Sequence, residues 1–164
     1  MIKLRMATIT DLDLLTHWDT KQHVMDCDPN DDDWSWEIEL NRNPEWREQL
    51  IAEVNGKPVG VVQIIDPYKE ETRYWGTVGQ NKRAIDIWIG EDEDLNRGYG
   101  TQMMKLAIAR CYENRMVNGV LVDPLKSNRK AHRFYERLGF EFIGERKFDD
   151  SICCVYELKR KSKT

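Results

Sequence analysis

The sequence predicts an α/β fold, a single domain over residues 1–164 in which helices flank one mixed β-sheet. Three observations lead there. Apolar residues alternate, the strand period, in segments such as 2–6 and 84–89. They recur at helical spacing after Gly100 and again after Ser127. Helical segments fall between strands in the second half, which requires crossovers and hence a mixed sheet. With 164 residues, 40% hydrophobic and 33% charged, the chain can build one packed core under a solvated surface.

The elements follow in order. Ile2, Leu4 and Met6 alternate with Lys3 and Arg5 as a first strand. Thr10 before Asp11 and Asp13 is a helix start, and Leu12, Leu14, Leu15 and Trp18 give that helix its apolar side. An acidic stretch holding Asp28, Asp31, Asp32 and Asp33 precedes a second helix through Trp34, Trp36, Ile38 and Leu40, ending near Pro44. Leu50 to Val54 runs into Asn55-Gly56 and returns from Pro58 to Ile65, a strong hairpin signal. Residues 66–82, with Tyr74-Trp75-Gly76, read as a loop, and Ala84 to Ile89 as the next strand. Gly98-Tyr99-Gly100 opens a helix carrying Met103, Met104, Ala107, Ile108 and Cys111. Val117 to Val122 is a strand. Ser127 to Leu138 is a helix with Ser127 as its N-cap, Gly139 as a left-handed residue after its end and Phe140 as the contact beyond. Two strands finish the chain near Leu158.

The net charge of −4 argues against a general nucleic-acid binder, which carries a basic balance. It suits a cationic partner, through steering. Glu91, Asp92, Glu93 and Asp94 form a second acidic cluster; both clusters read equally well as solvated loops. Cys27, Cys111, Cys153 and Cys154 fit no zinc spacing and are expected to be reduced packing residues of a cytoplasmic protein. His17, His23 and His132 form no metal set, so no metal is expected, and these three read as surface or packing residues. Met1 to Arg5 lacks the apolar run of a signal peptide, and no segment is apolar enough to span a membrane. A monomer or a homodimer is expected.

Two segments carry chemistry. In the first, the strand Ile85 to Ile89 leads through Gly90 and Leu95-Asn96-Arg97 to Gly98-Tyr99-Gly100-Thr101. Glycines there let backbone approach a ligand, and the first amides of the following helix point outward at the positive end of its dipole, a phosphate site. Alone, a Gly-x-Gly pair fits a plain tight turn equally well; no Lys-Ser/Thr follows, so it is not a P-loop. The second segment runs from Asp123 to Phe140. By pattern alone Ala131, Phe134, Tyr135 and Leu138 are one core stripe.

Together, the glycine turn and the later Asn-x-x-Ala-x-x-x-Tyr-Glu-x-x-Gly-Phe run resemble the GNAT acetyltransferases, from about residue 48 onward. The resemblance implies the GNAT acyl-CoA N-acyltransferase fold, with a mostly antiparallel central sheet, and acetyl-CoA as cosubstrate. It implies pyrophosphate contacts from Arg97, Gly98, Tyr99, Gly100 and Thr101, and places Asn128 and Ala131 along the cofactor arm. A backbone amide in the span from Trp88 and Ile89 to Gly90 would hold the oxyanion of the thioester carbonyl. Tyr135 would protonate the departing thiolate, a role that suits a phenol still protonated at neutral pH. Leu95 stands where the family often has Gln or Arg, in a loop whose contacts are mostly backbone.

Asp86 interrupts an apolar strand, facing away from Ile85, Ile87 and Ile89. Such a carboxylate is paired or faces a cleft. Arg83-Ala84-Ile85-Asp86, Thr72-Arg73-Tyr74-Trp75-Gly76 and Val122-Asp123-Pro124 are similar to the aminoglycoside 6′-N-acetyltransferases. That resemblance implies a small polycationic amine acceptor, Asp86 as base or anchor for the amine, and Asp123 and Trp75 on the acceptor side. Transfer would be direct, since no cysteine looks activated. The alternatives are a siderophore-type N-acyltransferase, a peptide N-acetyltransferase and a non-catalytic acyl-CoA-binding protein.

Overall fold

The computed structural model describes residues 1–27 and 34–161. The acidic stretch at 28–33 therefore lies outside the described residues. Strands β1 (Ile2–Met6), β2 (Arg47–Val54), β3 (Lys57–Ile65), β4 (Lys82–Ile89), β5 (Gly119–Val122), β6 (Glu141–Phe148) and β7 (Ser151–Lys159) form one sheet in the order β1-β2-β3-β4-β5-β7-β6. Every pairing is antiparallel except β4 with β5. The helices are α1 (Leu12–Trp18), α2 (Gln22–Cys27), α3 (Trp36–Arg42), α4 (Tyr99–Tyr112) and α5 (Arg129–Arg137).

The expected hairpin forms at Asn55-Gly56, both residues having positive φ, which is the backbone of a tight two-residue turn between β2 and β3. Gly139 is left-handed at φ 97°, as expected after α5, and Phe140 beyond it is buried.

Alternation along the strands sorts side chains onto two faces. On one, α4 and α5 cover Leu50, Val62, Ile64, Ile85 and Val120 with Met103, Met104, Ala107 and Tyr135. On the other, α1 and α3 bring Leu15, Trp18 and Trp36 onto Ile51 and Val61. A smaller cluster on that second face joins Ile65, Ala84, Leu121 and Val155 under Trp75.

Some local expectations shift. Thr10 is not the first cap: a 3-10 turn over Ile9–Asp11 precedes α1, and the Thr8 amide donates to Asp11 Oδ2 at 2.8 Å. The same Asp11 carboxylate accepts both terminal nitrogens of Arg5 (2.9 and 2.8 Å), tying this turn to β1. Ser127 does not cap α5; Asn128 does, accepting from the Ala131 amide at 3.1 Å, because its side chain is one atom longer and starts one residue nearer. Helix α2, only six residues long, had no apolar stripe to announce it. It is tied to the end of β4 by His23, whose Nε2–H donates to the Ile89 carbonyl at 2.8 Å.

Gly90, just beyond β4, marks a close approach. A Cβ there would lie 2.0 Å from Trp18 Cε2, and Trp18 is wholly buried. Gly90→Ala is therefore expected to lower stability by about 3 kcal/mol, the upper range for overpacking a tight core. Urea unfolding monitored by tryptophan fluorescence checks this; an unchanged midpoint would show that the Trp18 ring can move aside.

Candidate active site

The strand pair β4–β5 is short. It is made of Lys82–Gly119, Arg83–Val120 and Ala84–Leu121, and then β4 continues to Ile89 with no strand partner on that side among the described residues. The sheet therefore opens into a gap beside Ile85 to Ile89. Gly90 donates its amide to Val59 on β3. By strand alternation the Trp88 amide also faces β3, while the amides of Ile87 and Ile89 face the gap. Of the residues expected around the thioester carbonyl, Ile89 thus offers its backbone N–H and Trp88 does not. The Trp88 ring instead packs with Trp36 on the α1–α3 side, centroids 6.2 Å apart.

A polar row crosses the sheet beside the gap. Gln49 pairs with Gln63 and Gln63 with Asp86, so their side chains share the second face. Extending the register of Ala84 with Leu121 places Asp123 level with Asp86 on that face. Apolar rows flank this one, Ile51–Val61–Trp88 above and Ile65–Ala84–Leu121 below. Asp86 is exposed and Asp123 half-buried, which opens both to solvent and to a ligand.

Tyr135 approaches from the opposite face. It is 8% exposed in the α4–α5 cluster, its ring packed against Phe134 and Phe140. Burial raises its phenol above the usual value, and the charges of Asp86, Asp123 and Cys27 raise it further. The hydroxyl thus stays protonated and feels both carboxylates across the gap. Cys27, expected to be a packing residue, is instead exposed at the end of α2; Cys111, Cys153 and Cys154 are buried, and all four are free thiols.

Trp75, expected on the acceptor side, is 2% exposed beneath the 66–81 loop, where its ring fills the space over Ala84, Leu121 and Val155. Its neighbour Tyr74, not among the residues expected at the site, is about half exposed as a residue, with its ring against Phe148 at 6.2 Å and Trp75 at 6.4 Å. Buried Glu70 holds it there, accepting from the amides of Thr72 (2.9 Å) and Tyr74 (3.3 Å). Burial, then the charges of Asp86 and Asp123, raises the Tyr74 phenol as well. The available signal was an aromatic next to a tryptophan anchor in a polar loop.

At the other end of the gap, Gly98 has φ 81°, and nothing lies within 4 Å of where a Cβ would sit, so the start of α4 is open. Arg97 donates Nε to the Glu93 carbonyl at 2.8 Å, and Lys130 Nζ on α5 reaches Asn96 Oδ1 at 3.0 Å. The starts of α4 and α5 thus lie together, with Tyr99, Gly100 and Thr101 in the first turn of one and Asn128 and Ala131 in that of the other. The Ala131 amide is used by the Asn128 cap, which leaves Asn128 Nδ2 as the group that can donate to a ligand. Free amides and the dipole at the α4 start fit a pyrophosphate. Among the described residues no cluster of His, Cys, Asp and Glu could hold a metal ion, and no helix is long and apolar enough to cross a membrane.

The sequence pattern of the acetyltransferase (GNAT) domain family matches residues 8–148. The chain is 26% identical over 157 residues to aminoglycoside N(6′)-acetyltransferase type 1 of Klebsiella pneumoniae, covering 87% of this chain and 75% of that one. It is 23% identical over 162 residues to lysine N-acyltransferase MbtK of Mycobacterium tuberculosis, covering 95% and 76%. Its fold superposes with a TM-score of 0.83 on the crystal structure of aminoglycoside acetyltransferase AAC(6′)-Ib in complex with coenzyme A and kanamycin, at 24% identity over 98% of this chain and 95% of that one.

The raised phenols have a measurable consequence. For Tyr74 and Tyr135 the folded-state value lies above the unfolded one, so the stability that this shift contributes is present below about pH 10 and is lost as pH rises beyond it. Absorbance titration of the six tyrosines is expected to leave at least Tyr135, which is 8% exposed, silent while exposed ones ionise. In Tyr135→Phe, one late-ionising group should disappear.

Proposed function

The chain belongs to the acetyltransferase (GNAT) domain family, and from that membership and the open sheet we propose that it transfers the acetyl group of acetyl-CoA directly to a primary amine of a small polycation, the 6′-amine of an aminoglycoside. The observation that carries this reading is the early parting of β4 from β5, which leaves Asp86 on one face of the sheet beside the opening and Tyr135 in the helix-covered cluster on the other.

Acetyl-CoA supplies an activated acyl group as a thioester. The open start of α4, with Arg97, Gly98, Tyr99, Gly100 and Thr101, holds its pyrophosphate, and Asn128 Nδ2 donates to its arm. Asp86 and Asp123 attract the ammonium form of the acceptor, and Asp86 orients the nitrogen and takes its proton. The amide of Ile89 donates to the carbonyl oxygen as negative charge develops on it. Tyr135, kept neutral by burial, gives its proton to the departing sulfur. Tyr74 offers the acceptor an aromatic wall whose phenol feels the charge of both carboxylates. A row of amides and carboxylates suits a ligand bearing hydroxyls as well as ammonium groups.

The relative named as a lysine N-acyltransferase favours a second reading, acylation of a lysine-like amine. The paired carboxylates, which suit a polycation, rank it second.

Release of free CoA thiol decides between the two. With a panel of aminoglycosides, polyamines, lysine derivatives and peptides, turnover is expected on aminoglycosides bearing a 6′-amine and not on those with a 6′-hydroxyl. Turnover on lysine derivatives alone would move the acceptor to the second reading. Tyr135→Phe is expected to lower kcat by about 100-fold with acetyl-CoA affinity unchanged, since it removes only the acid. Asp86→Asn is expected to abolish amine acetylation and to spare cofactor binding; full activity would exclude Asp86. Tyr74→Ala should raise KM for the amine about tenfold, roughly the loss of one close aromatic contact, and leave KM for acetyl-CoA as it was.

A further inference from the structure

The loop between β5 and α5 carries Asp123 at one end and Asn128 at the other. Its middle is pinned to β7 by backbone: Lys126 donates to Ile152 and Cys154 to Pro124, both at 2.9 Å. On the helix side His132 holds it. His132 Nε2 lies 3.0 Å from the Leu125 carbonyl and 3.1 Å from that of Lys126. Carbonyls only accept, so Nε2 carries a proton, and in the neutral ring Nδ1 is then a lone pair. That lone pair is 2.7 Å from the Tyr156 hydroxyl, which therefore donates to it. Tyr156 is buried on β7, and its other acceptor, Glu136 Oε1, is farther away at 3.4 Å. One ring thus joins the loop, the first turn of α5 and the neighbouring strand.

We propose that His132 is a positioning residue: held as the Nε2–H tautomer between Tyr156 and the two loop carbonyls, it fixes the first turn of α5 and so aims Asn128 and Tyr135 at the gap. The residue spacing carries the effect. Asn128 caps the helix four residues before His132, and Tyr135 lies three residues after it, on the adjoining part of the helix surface. A turn that rolls or slides moves both groups at once. Shifts of an ångström between reacting groups lower rates by up to about 100-fold. The inference rests on the roles given above to Asn128 and Tyr135, and goes beyond them by adding the group that orients both.

Nitrogen-15 NMR of histidine-labelled protein at about pH 8, where an ordinary imidazole is neutral, reads the tautomer directly. One ring, assigned by its loss in His132→Gln, is expected to be the Nε2–H form; an Nδ1–H form would overturn the proposal. His132→Phe keeps the bulk and removes the hydrogen bonds. It is expected to lower kcat about tenfold and weaken acetyl-CoA binding severalfold, with KM for the amine unchanged. His132→Gln, which can both donate and accept, is expected to restore most of both. Wild-type kcat and acetyl-CoA affinity in His132→Phe would overturn the proposal. Should that variant not fold, Tyr156→Phe takes its place: loss of the single tautomer and a smaller change in the same constants are expected, and no change in either overturns the assignment. A wild-type protein that acetylates no amine defeats the acceptor reading, while the tautomer and equilibrium binding of acetyl-CoA still decide the role of His132.

Discussion

β4 and β5 run together for three residue pairs and then part, and the site depends on that separation. A strand edge left open inside a sheet exposes amides and carbonyls that need partners. On β4 the Ile89 carbonyl is taken by His23 of α2, while the inward-facing amides of Ile87 and Ile89 have no partner among the described residues. An extended acyl-carrying arm can lie there as a strand would. The same opening lets a group on one face of the sheet act on a group on the other, which a continuous ladder would prevent. Tyr135 belongs to the α4–α5 core and Asp86 to the opposite face, yet the charge of Asp86 reaches the Tyr135 phenol.

The parallel direction of these two strands explains the rest of the arrangement. Each passes at its C-terminal end into a helix, β4 into α4 and β5 into α5. Both helix N-termini therefore meet at the end of the sheet where the gap opens, as the contact of Lys130 with Asn96 shows. Two positive dipole ends and a set of free amides make that end suited to phosphate. The antiparallel strands to either side bring no helix starts to this place; they supply the floor. β3 contributes Gln63 beside Asp86, and β7 holds the β5–α5 loop from below.

Electrostatics on the two sides of the gap are complementary. The end proposed for phosphate carries amides and basic side chains, Arg97 and Lys130 among them, and the end proposed for the acceptor carries Asp86, Asp123 and two phenols. Phenols kept protonated by burial beside carboxylates add hydrogen-bond donors without adding charge, so attraction for a cation is retained.

Most elements were legible in the sequence because their signals are local. The Asn55-Gly56 turn, the left-handed Gly139 and the apolar spacing of α4 each depend on a few consecutive residues, and the structure has them where turn chemistry and periodicity put them. The candidate residues Asp86, Tyr135, Asp123 and Asn128 could be named from their motifs, but not their relation to one another. What tertiary structure decided is which neighbour faces which way. It placed Trp75 inside and Tyr74 at the surface, turned the Ile89 amide rather than that of Trp88 to the gap, gave the α5 cap to Asn128 instead of Ser127, and set His132 between a loop and a strand. These outcomes depend on where β4 loses its partner and on packing between segments far apart in the chain, and periodicity, which is a property of neighbouring residues, carries no information about either.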